Sequence, residues 1–379
     1  MSQILDRLDE IIASAIVPEA IEVDRVGAFP ASSMDALKAA GFLGLISSTE
    51  VGGGGKDMEC AAEVVKRVSG ACGSTGMVLL MHYSATAILE AHGPKDVREA
   101  IAVGDHLTTL AFSEQGSRSH FWAPVGTASE TDGGIVALDA KKSWVTAAAA
   151  ADSYVWSSRP LAQDTDGVMS LWLVPTSTRG LEVATQFDGL GLRGNGSVPV
   201  TAHDVRIPAD ARLGDDGTGL EIALATALPC FLLLSGAFGI GLMEAVTSEV
   251  GEFLATQRLE HIDERLIAQP LSRIDYARMR VSTDAAIALL RDTVAAIAAN
   301  RDDAVLRVLE IKASVAESAI AVTDLAMKIC GGAAFRKELG VERRFRDARA
   351  SRVMAPTTDA LLDFIGRAIS GLPLIGPVS

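Results

Sequence analysis

His82, in the run LLMHYS, and His120 are the imidazoles that could donate or accept a proton near neutral pH, but each stands alone, and a lone histidine is often simply satisfied within the fold. Gly52 to Gly55 form a run of the kind that can cradle phosphate. It lacks a GKS or GKT ending and has no strand followed by GxGxxG, so a tight turn is the expectation. From Arg336 to Arg352 the chain carries seven basic and three acidic residues, which suits either an ion-paired face or the seat of an anion. Cys60, Cys72, Cys230 and Cys330 lie far apart, with no CxxC pair and no histidine at metal-ligand spacing. Reduced thiols are expected, and a structural zinc site is not.

These residues have to be held by regular elements. Apolar positions recur every three or four residues in ILDRLDEIIASAI and MDALKAAGFLGLI, which predicts a helical domain over 1–107. Between 108 and 212 the texture changes to short β-type runs such as LTTLAFSE, SYVWSS and MSLWLVPT, broken by Asp-Gly and Gly-Gly turns, which predicts a small antiparallel β-domain. Long amphipathic patterns return in VLRVLEIKASVAESAIAVTDLAMKI and TTDALLDFIGRAI, predicting a helical bundle over 213–379. The expected fold class is α+β, with helices, then sheet, then helices. The 22 residues from Ile222 to Met243 carry no charge and reach the length of a membrane span. Pro229, three glycines and the lack of flanking Lys or Arg favour a buried bundle helix, so no membrane partner is expected.

Composition narrows the function classes. The 34 basic and 48 acidic residues leave a formal net charge of −14, which argues against a general nucleic-acid binder. Apolar residues make up 49% and charged ones 22% of 379 residues, enough for two or three domains with real cores. Asp6, Asp9 and Glu10 stand where an export signal would be basic and then apolar, so a cytoplasmic protein is expected.

Several motifs, in order and at matching spacing, resemble the acyl-CoA dehydrogenase family over essentially the whole chain. GFLGLISSTEVGGGG resembles its N-terminal Gly-rich turn, AFSEQGSRS its A-x-T-E-P-x-A-G-S loop, and DAKKSWVTAAAAADSYVW its G-x-K-x-W-I-T-x-A strand pair. FDGLGLRGNGSVPVTAHDVRIPADARLG is similar to its G-L-R-x-S segment, CGGAAF to its GG-x-G-[YF] motif, and VERRFRDAR to its P-x-E-R-x-x-R-D-x-R motif. The resemblance implies FAD held between the β-domain and the C-terminal bundle, in a homotetramer or dimer whose subunits share contacts to it. Phe112, Ser113 and Ser119 fall on the loop at the isoalloxazine edge, Trp144 at the flavin-packing position, and Thr146 where the family's Thr faces flavin N5. Arg258 and Gln269 keep the spacing of the family's pyrophosphate- and adenine-side Arg and Gln. Gly331 and Gly332 match its diglycine, Thr357 matches the Thr that trails the family's base, and Lys328 stands where many members have Gln. An acyl-CoA is the implied substrate, with a separate electron acceptor or a flavin reductase as partner.

The same resemblance breaks at the base. The family's usual Y-E-G-T segment aligns with Met354, Ala355, Pro356 and Thr357, so the Glu is replaced by Ala355. The position used by a minority of members falls on Phe231, and the family's substrate-side Asp and Arg fall on Pro229 and Leu232. Three functions stay open. One is acyl thioester dehydrogenation with a relocated base, Asp359, one helical turn beyond Ala355. Another is a flavin monooxygenase or oxidase on the same fold, which needs no such base; His82 or His120 could serve as acid or donor in either. The third is a non-catalytic flavoprotein subunit.

Overall fold

A computed structural model describes every residue except 119, 163, 164, 166, 186 and 377–379. The chain divides into two compact units: Met1–Ala61, Met77–Gly189 and Arg193–Phe231 form the first, and Ala62–Gly76, Leu190–Leu192 and Leu232–Ser379 the second.

Helices α1 (Ser2–Ile11), α2 (Val17–Val26), α3 (Ala31–Ala39), α4 (Met58–Ala71), α5 (Gly73–His92) and α6 (Lys95–Ala102) come first, as the three-four spacing predicts. The glycine run between α3 and α4 is a packed turn. Gly53, Gly54 and Gly55 donate their N–H groups to the carbonyls of Ser48, Gly44 and Ser47, and a Cβ on Gly53 would lie 2.3 Å from the Ser47 carbonyl oxygen. With those amides spent inside the chain, they form no phosphate cradle.

Strands β1 (Thr108–Ala111), β2 (Thr127–Thr131), β3 (Ile135–Val145), β4 (Ser153–Ser158), β5 (Ser170–Pro175), β6 (Leu181–Val183) and β7 (Val198–Pro208) make two sheets, ordered β1-β4-β5 and β2-β3-β7-β6. Against the expected antiparallel domain, and among the pairs of named strands in the described residues, β1 runs parallel to β4, with Thr108 opposite Ser153 and Ala111 opposite Trp156, while the other pairs are antiparallel. The long stretch of chain between β1 and β4 supplies the crossover a parallel pair requires. Strand β4 is buried at every position because its alternate residues serve two cores. Tyr154 and Trp156 pack with Val136, Leu138 and Trp172, while Val155 packs with Leu89, Leu110 and Leu171.

The charge-free run falls on two helices rather than one, α7 (Gly219–Ala225) and α8 (Ala227–Thr256), broken at Thr226 where ψ is −71° and φ −120°. In its most apolar stretch 72% of the residues are buried inside the protein, which accounts for the hydrophobicity without a lipid phase. In the second unit α8 packs on α10 (Ala304–Cys330), and a Cβ on Gly236 or Gly239 would come within 2.6 Å of Ile311 or Val315. The small residues set the helix spacing. A short hairpin, β8 (Arg258–Leu259) and β9 (Glu264–Arg265), leads into α9 (Pro270–Ala298), and α11 (Val341–Ala348), α12 (Ala350–Val353) and α13 (Thr358–Ile369) complete the bundle.

Candidate active site

In the first unit, the loop after β1 lies alongside the end of β3. Ser143 N–H donates to the Ser113 carbonyl at 2.9 Å, and Gln115 N–H to the Lys141 carbonyl at 2.9 Å. Phe112, Ser113 and Trp144, far apart in sequence, are thereby brought to one edge. The Phe112 ring stacks with Phe121, their centroids 6.5 Å apart. The Trp144 indole is 62% exposed and meets only the edge of Phe187, at 6.0 Å among the ring contacts of the described residues. A large flat apolar group left open at a strand end is suited to a planar ligand. Two residues on, Thr146 is buried, and its hydroxyl lies 3.0 Å from that of Ser197. Ser119 lies outside the described residues.

Beneath this edge Lys142 points inward and is wholly buried. Its Nζ donates to Glu114 Oε1 at 2.5 Å, to the Ser157 carbonyl at 2.7 Å and to Ser157 Oγ at 2.9 Å, and it sits 4.8 Å from the Trp156 ring centre. Glu114 Oε2 accepts from the N–H groups of Val125 at 2.5 Å and Gly126 at 2.8 Å. Burial pulls the Lys142 ammonium down to about 8, against the Glu114 carboxylate, which pushes it up.

His82 departs from its expected role as an acid or donor toward substrate. It is fully buried; its Nδ1 accepts from Thr108 N–H at 3.2 Å, so Nε2 carries the proton and donates to the Leu43 carbonyl at 3.0 Å. Both nitrogens are used to join backbone segments. Burial pushes its pKa from 6.5 to about 4. Between those values the unfolded chain binds a proton that the folded chain refuses, so this contribution to stability is complete above pH 6.5 and is lost as pH falls towards 4, by up to about 3 kcal/mol. Urea unfolding at pH 7 and pH 4.5 should therefore show a larger acid loss for the wild type than for His82→Gln. Equal losses would place the acid sensitivity elsewhere. His120 is exposed, with Nδ1 2.8 Å from the Ser117 carbonyl and its ring edge-on to Trp122.

In the second unit, the loop that carries Ala355 is clamped from below by Lys312 of α10. Its buried ammonium donates to the carbonyls of Ser351, Met354 and Pro356 at 3.2, 3.0 and 2.8 Å. Burial pulls this ammonium down to about 7, while the three acceptors favour the charged form. A cation that already donates to three carbonyls is poorly placed to act as a base. Thr357 caps α13, its hydroxyl accepting from Ala360 N–H at 3.4 Å, and Asp359 stands exposed on the first turn of that helix.

Arg258 opens the β8–β9 hairpin, and Gln269 follows it 11 residues on, just before α9. The partner of Arg258 is Asp263, whose carboxylate and carbonyl both accept from Nη2. Gln269 donates to Glu264 at 2.8 Å. Lys328 pairs with Asp275 at 2.6 Å. Gly331 caps α10 with φ +53°, and a Cβ on Gly331 or Gly332 would meet nothing within 4 Å. That leaves open space over the diglycine. The Arg-rich stretch is an ion-paired face: Arg344 pairs with Glu249, Arg346 with Glu342, Arg349 with Asp324 and Arg352 with Glu317.

Family models for the N-terminal, middle and C-terminal domains of acyl-CoA dehydrogenase match residues 2–103, 109–205 and 217–370 in turn. The chain belongs to the acyl-CoA dehydrogenase family. Its fold is that family's, with an N-terminal helical domain, a middle β-domain and a C-terminal helical domain. The human mitochondrial short-chain specific acyl-CoA dehydrogenase is 28% identical over 91% of this chain and 84% of its own length. Butyryl-CoA dehydrogenase from Megasphaera elsdenii superposes with a TM-score of 0.91 over 97% of both chains at 20% identity, and the prolyl acyl carrier protein oxidase AnaB with 0.87 over 97% of this chain and 99% of its own at 20% identity. Acyl-CoA dehydrogenases are flavoprotein oxidoreductases, and the present chain is an oxidoreductase of that family. Within the acyl-CoA dehydrogenase frame, Glu114 and Lys142 fall inside the same motifs as Ser113, Trp144 and Thr146, but neither their pairing with each other nor the contacts of Ser197 and Lys312 show in the sequence. Their partners lie tens of residues away, at separations with no periodic signature.

Proposed function

We propose that this protein binds FAD and removes hydrogens from the α and β carbons of a short acyl-CoA, passing the electrons to a separate acceptor such as an electron-transferring flavoprotein. The observation that carries this reading is the exposed Trp144 indole beside the buried Thr146 hydroxyl, one flat apolar surface and one fixed polar group at the same strand end. The open space over Gly331 and Gly332 fits a large cofactor as well. In the first unit, Phe112, Ser113, Trp144 and Thr146 are the proposed isoalloxazine contacts; in the second unit, Arg258, Gln269, Gly331, Gly332 and Thr357 are proposed FAD contacts. Bound FAD would supply the hydride acceptor. The chain's own residues would orient the thioester, exclude water and take the α-proton, for which Asp359 is the candidate carboxylate. In an anaerobic titration, the purified yellow protein should carry FAD rather than FMN and bleach with butyryl-CoA. Full occupancy by FMN would overturn the cofactor assignment.

The methyl group of Ala355 favours a second reading, a monooxygenase, in which a flavin reductase supplies electrons and oxygen accepts them, or an oxidase, in which the substrate itself supplies the electrons that oxygen accepts. Absence of bleaching by a panel of acyl-CoAs, with turnover on adding NADH, a flavin reductase and air, would select the monooxygenase.

The same reading includes a homo-oligomer, a tetramer or dimer. On α9, Leu271, Ile274, Arg278, Val281, Ala285 and Ala288 follow alternating three- and four-residue spacing and all lie exposed, as a helix seam awaiting a partner does. Light scattering of the wild type should show a dimer or tetramer at micromolar concentration, and Leu271→Asp with Val281→Asp should lower the mass. A wild-type monomer with bound FAD would sink the claim. A reducing compartment, the cytoplasm, suits the four free buried cysteines.

A further inference from the structure

The last paired residues of β3 and β7 are Val145 and Val198, and immediately beyond them Thr146 and Ser197 face each other. Their hydroxyl oxygens are 3.0 Å apart, both side chains are buried, and either oxygen can be the donor. The Ser197 side of the pair is held firmly. Asn195 Oδ1 accepts from Ser197 N–H at 3.0 Å, Ala147 N–H donates to the Asn195 carbonyl at 2.9 Å, and Ala148 N–H to the Gly196 carbonyl at 3.2 Å. Gly196 and Ala147 both sit in the left-handed region, at φ +63° and +55°. For Ala147 that conformation is costly, and the two strand-end bonds hold it in place.

We infer that Ser197 is a positioning residue for Thr146, turning the Thr146 hydroxyl one way for oxidised flavin and the other way for reduced flavin. The inference rests on the reading above that Thr146 faces flavin N5. Oxidised flavin presents a lone pair at N5 and reduced flavin an N–H, so one hydroxyl must donate in one state and accept in the other. A hydroxyl has one proton and two lone pairs. When the Thr146 proton goes to N5, Ser197 donates to Thr146 Oγ1. When N5–H donates to Thr146, the Thr146 proton needs a new acceptor, and Ser197 Oγ is 3.0 Å away. Without Ser197, that buried proton has no acceptor in the reduced state alone, and an unmet buried donor is costlier than an unused lone pair.

The test is the two-electron midpoint potential of FAD bound to the wild type, Ser197→Ala, Ser197→Thr, Thr146→Val and the Thr146→Val/Ser197→Ala double variant, with FAD affinity and thermal melting measured alongside. Ser197→Ala should weaken the affinity for reduced relative to oxidised FAD about tenfold, which is a fall of about 30 mV. Ser197→Thr should restore the wild-type potential, and Ser197→Ala should add nothing in the Thr146→Val background. A folded Ser197→Ala protein that binds FAD at the wild-type potential overturns the inference, as does an equal shift with and without Thr146. Failure of the wild type to bind FAD would overturn the functional reading itself, and the two failures are thus distinguishable.

Discussion

Replacing Ala355 with glutamate is expected to speed the bleaching of bound flavin by butyryl-CoA by about 10²- to 10⁴-fold over the unmodified protein, the usual contribution of a positioned general base. The α-proton of a thioester is removed only by a base within hydrogen-bond reach, and a methyl group at 355 supplies none. The loop that would carry the new carboxylate is already fixed, because the buried Lys312 ammonium holds the carbonyls on both sides of residue 355. That nearby cation also favours an ionised glutamate, the form able to accept a proton. Stopped-flow absorbance of anaerobic enzyme mixed with substrate reads the rate directly. Asp359→Asn separates the alternatives in the parent protein. If it abolishes a measurable wild-type rate, Asp359 is the relocated base; if Ala355→Glu binds butyryl-CoA yet gains nothing, the acyl thioester reading fails at this position.

How much of this was legible depends on the range of each interaction. Helices α10 and α13 are visible because their apolar positions recur within a turn or two, and β4 because its run of apolar and small residues is bounded by turns. The break at Thr226 is not, since nothing in IALATALPC marks a stop before Pro229, and Pro229 itself sits in the first turn of α8, where proline is tolerated. The parallel pairing of β1 with β4 depends on a chain crossover that no local pattern records. At the candidate site the motifs pointed to Trp144 and Thr146, but the partner of Thr146 lies 51 residues further on. His82 shows the reverse case. Its residue type suggested chemistry, whereas burial and two backbone partners give it a structural task.

The largest loss of stability is expected from Lys142→Met. Both side chains of the Glu114–Lys142 pair are essentially inaccessible, at 1% and 0% exposure, so removing the ammonium strands a carboxylate in the core. Breaking a buried pair from one side costs about 3 to 5 kcal/mol, far more than the pair as a whole contributes over apolar replacements. Glu114 cannot turn away to solvent, because its second oxygen holds Val125 and Gly126 N–H and its backbone is tied to β3. Adding Glu114→Gln should recover a large part of the loss: the amide oxygen still accepts from both N–H groups and no charge remains. Urea unfolding followed by tryptophan fluorescence would measure this, with Trp156 directly over the Lys142 ammonium as a local reporter. Because the Ser113 carbonyl is bound to Ser143 N–H next to this pair, the single variant should also release FAD faster, and the double variant should not. If Lys142→Met loses less than about 1 kcal/mol, the pair contributes no more than an ordinary hydrogen bond and does not hold the strand end where Trp144 and Thr146 stand.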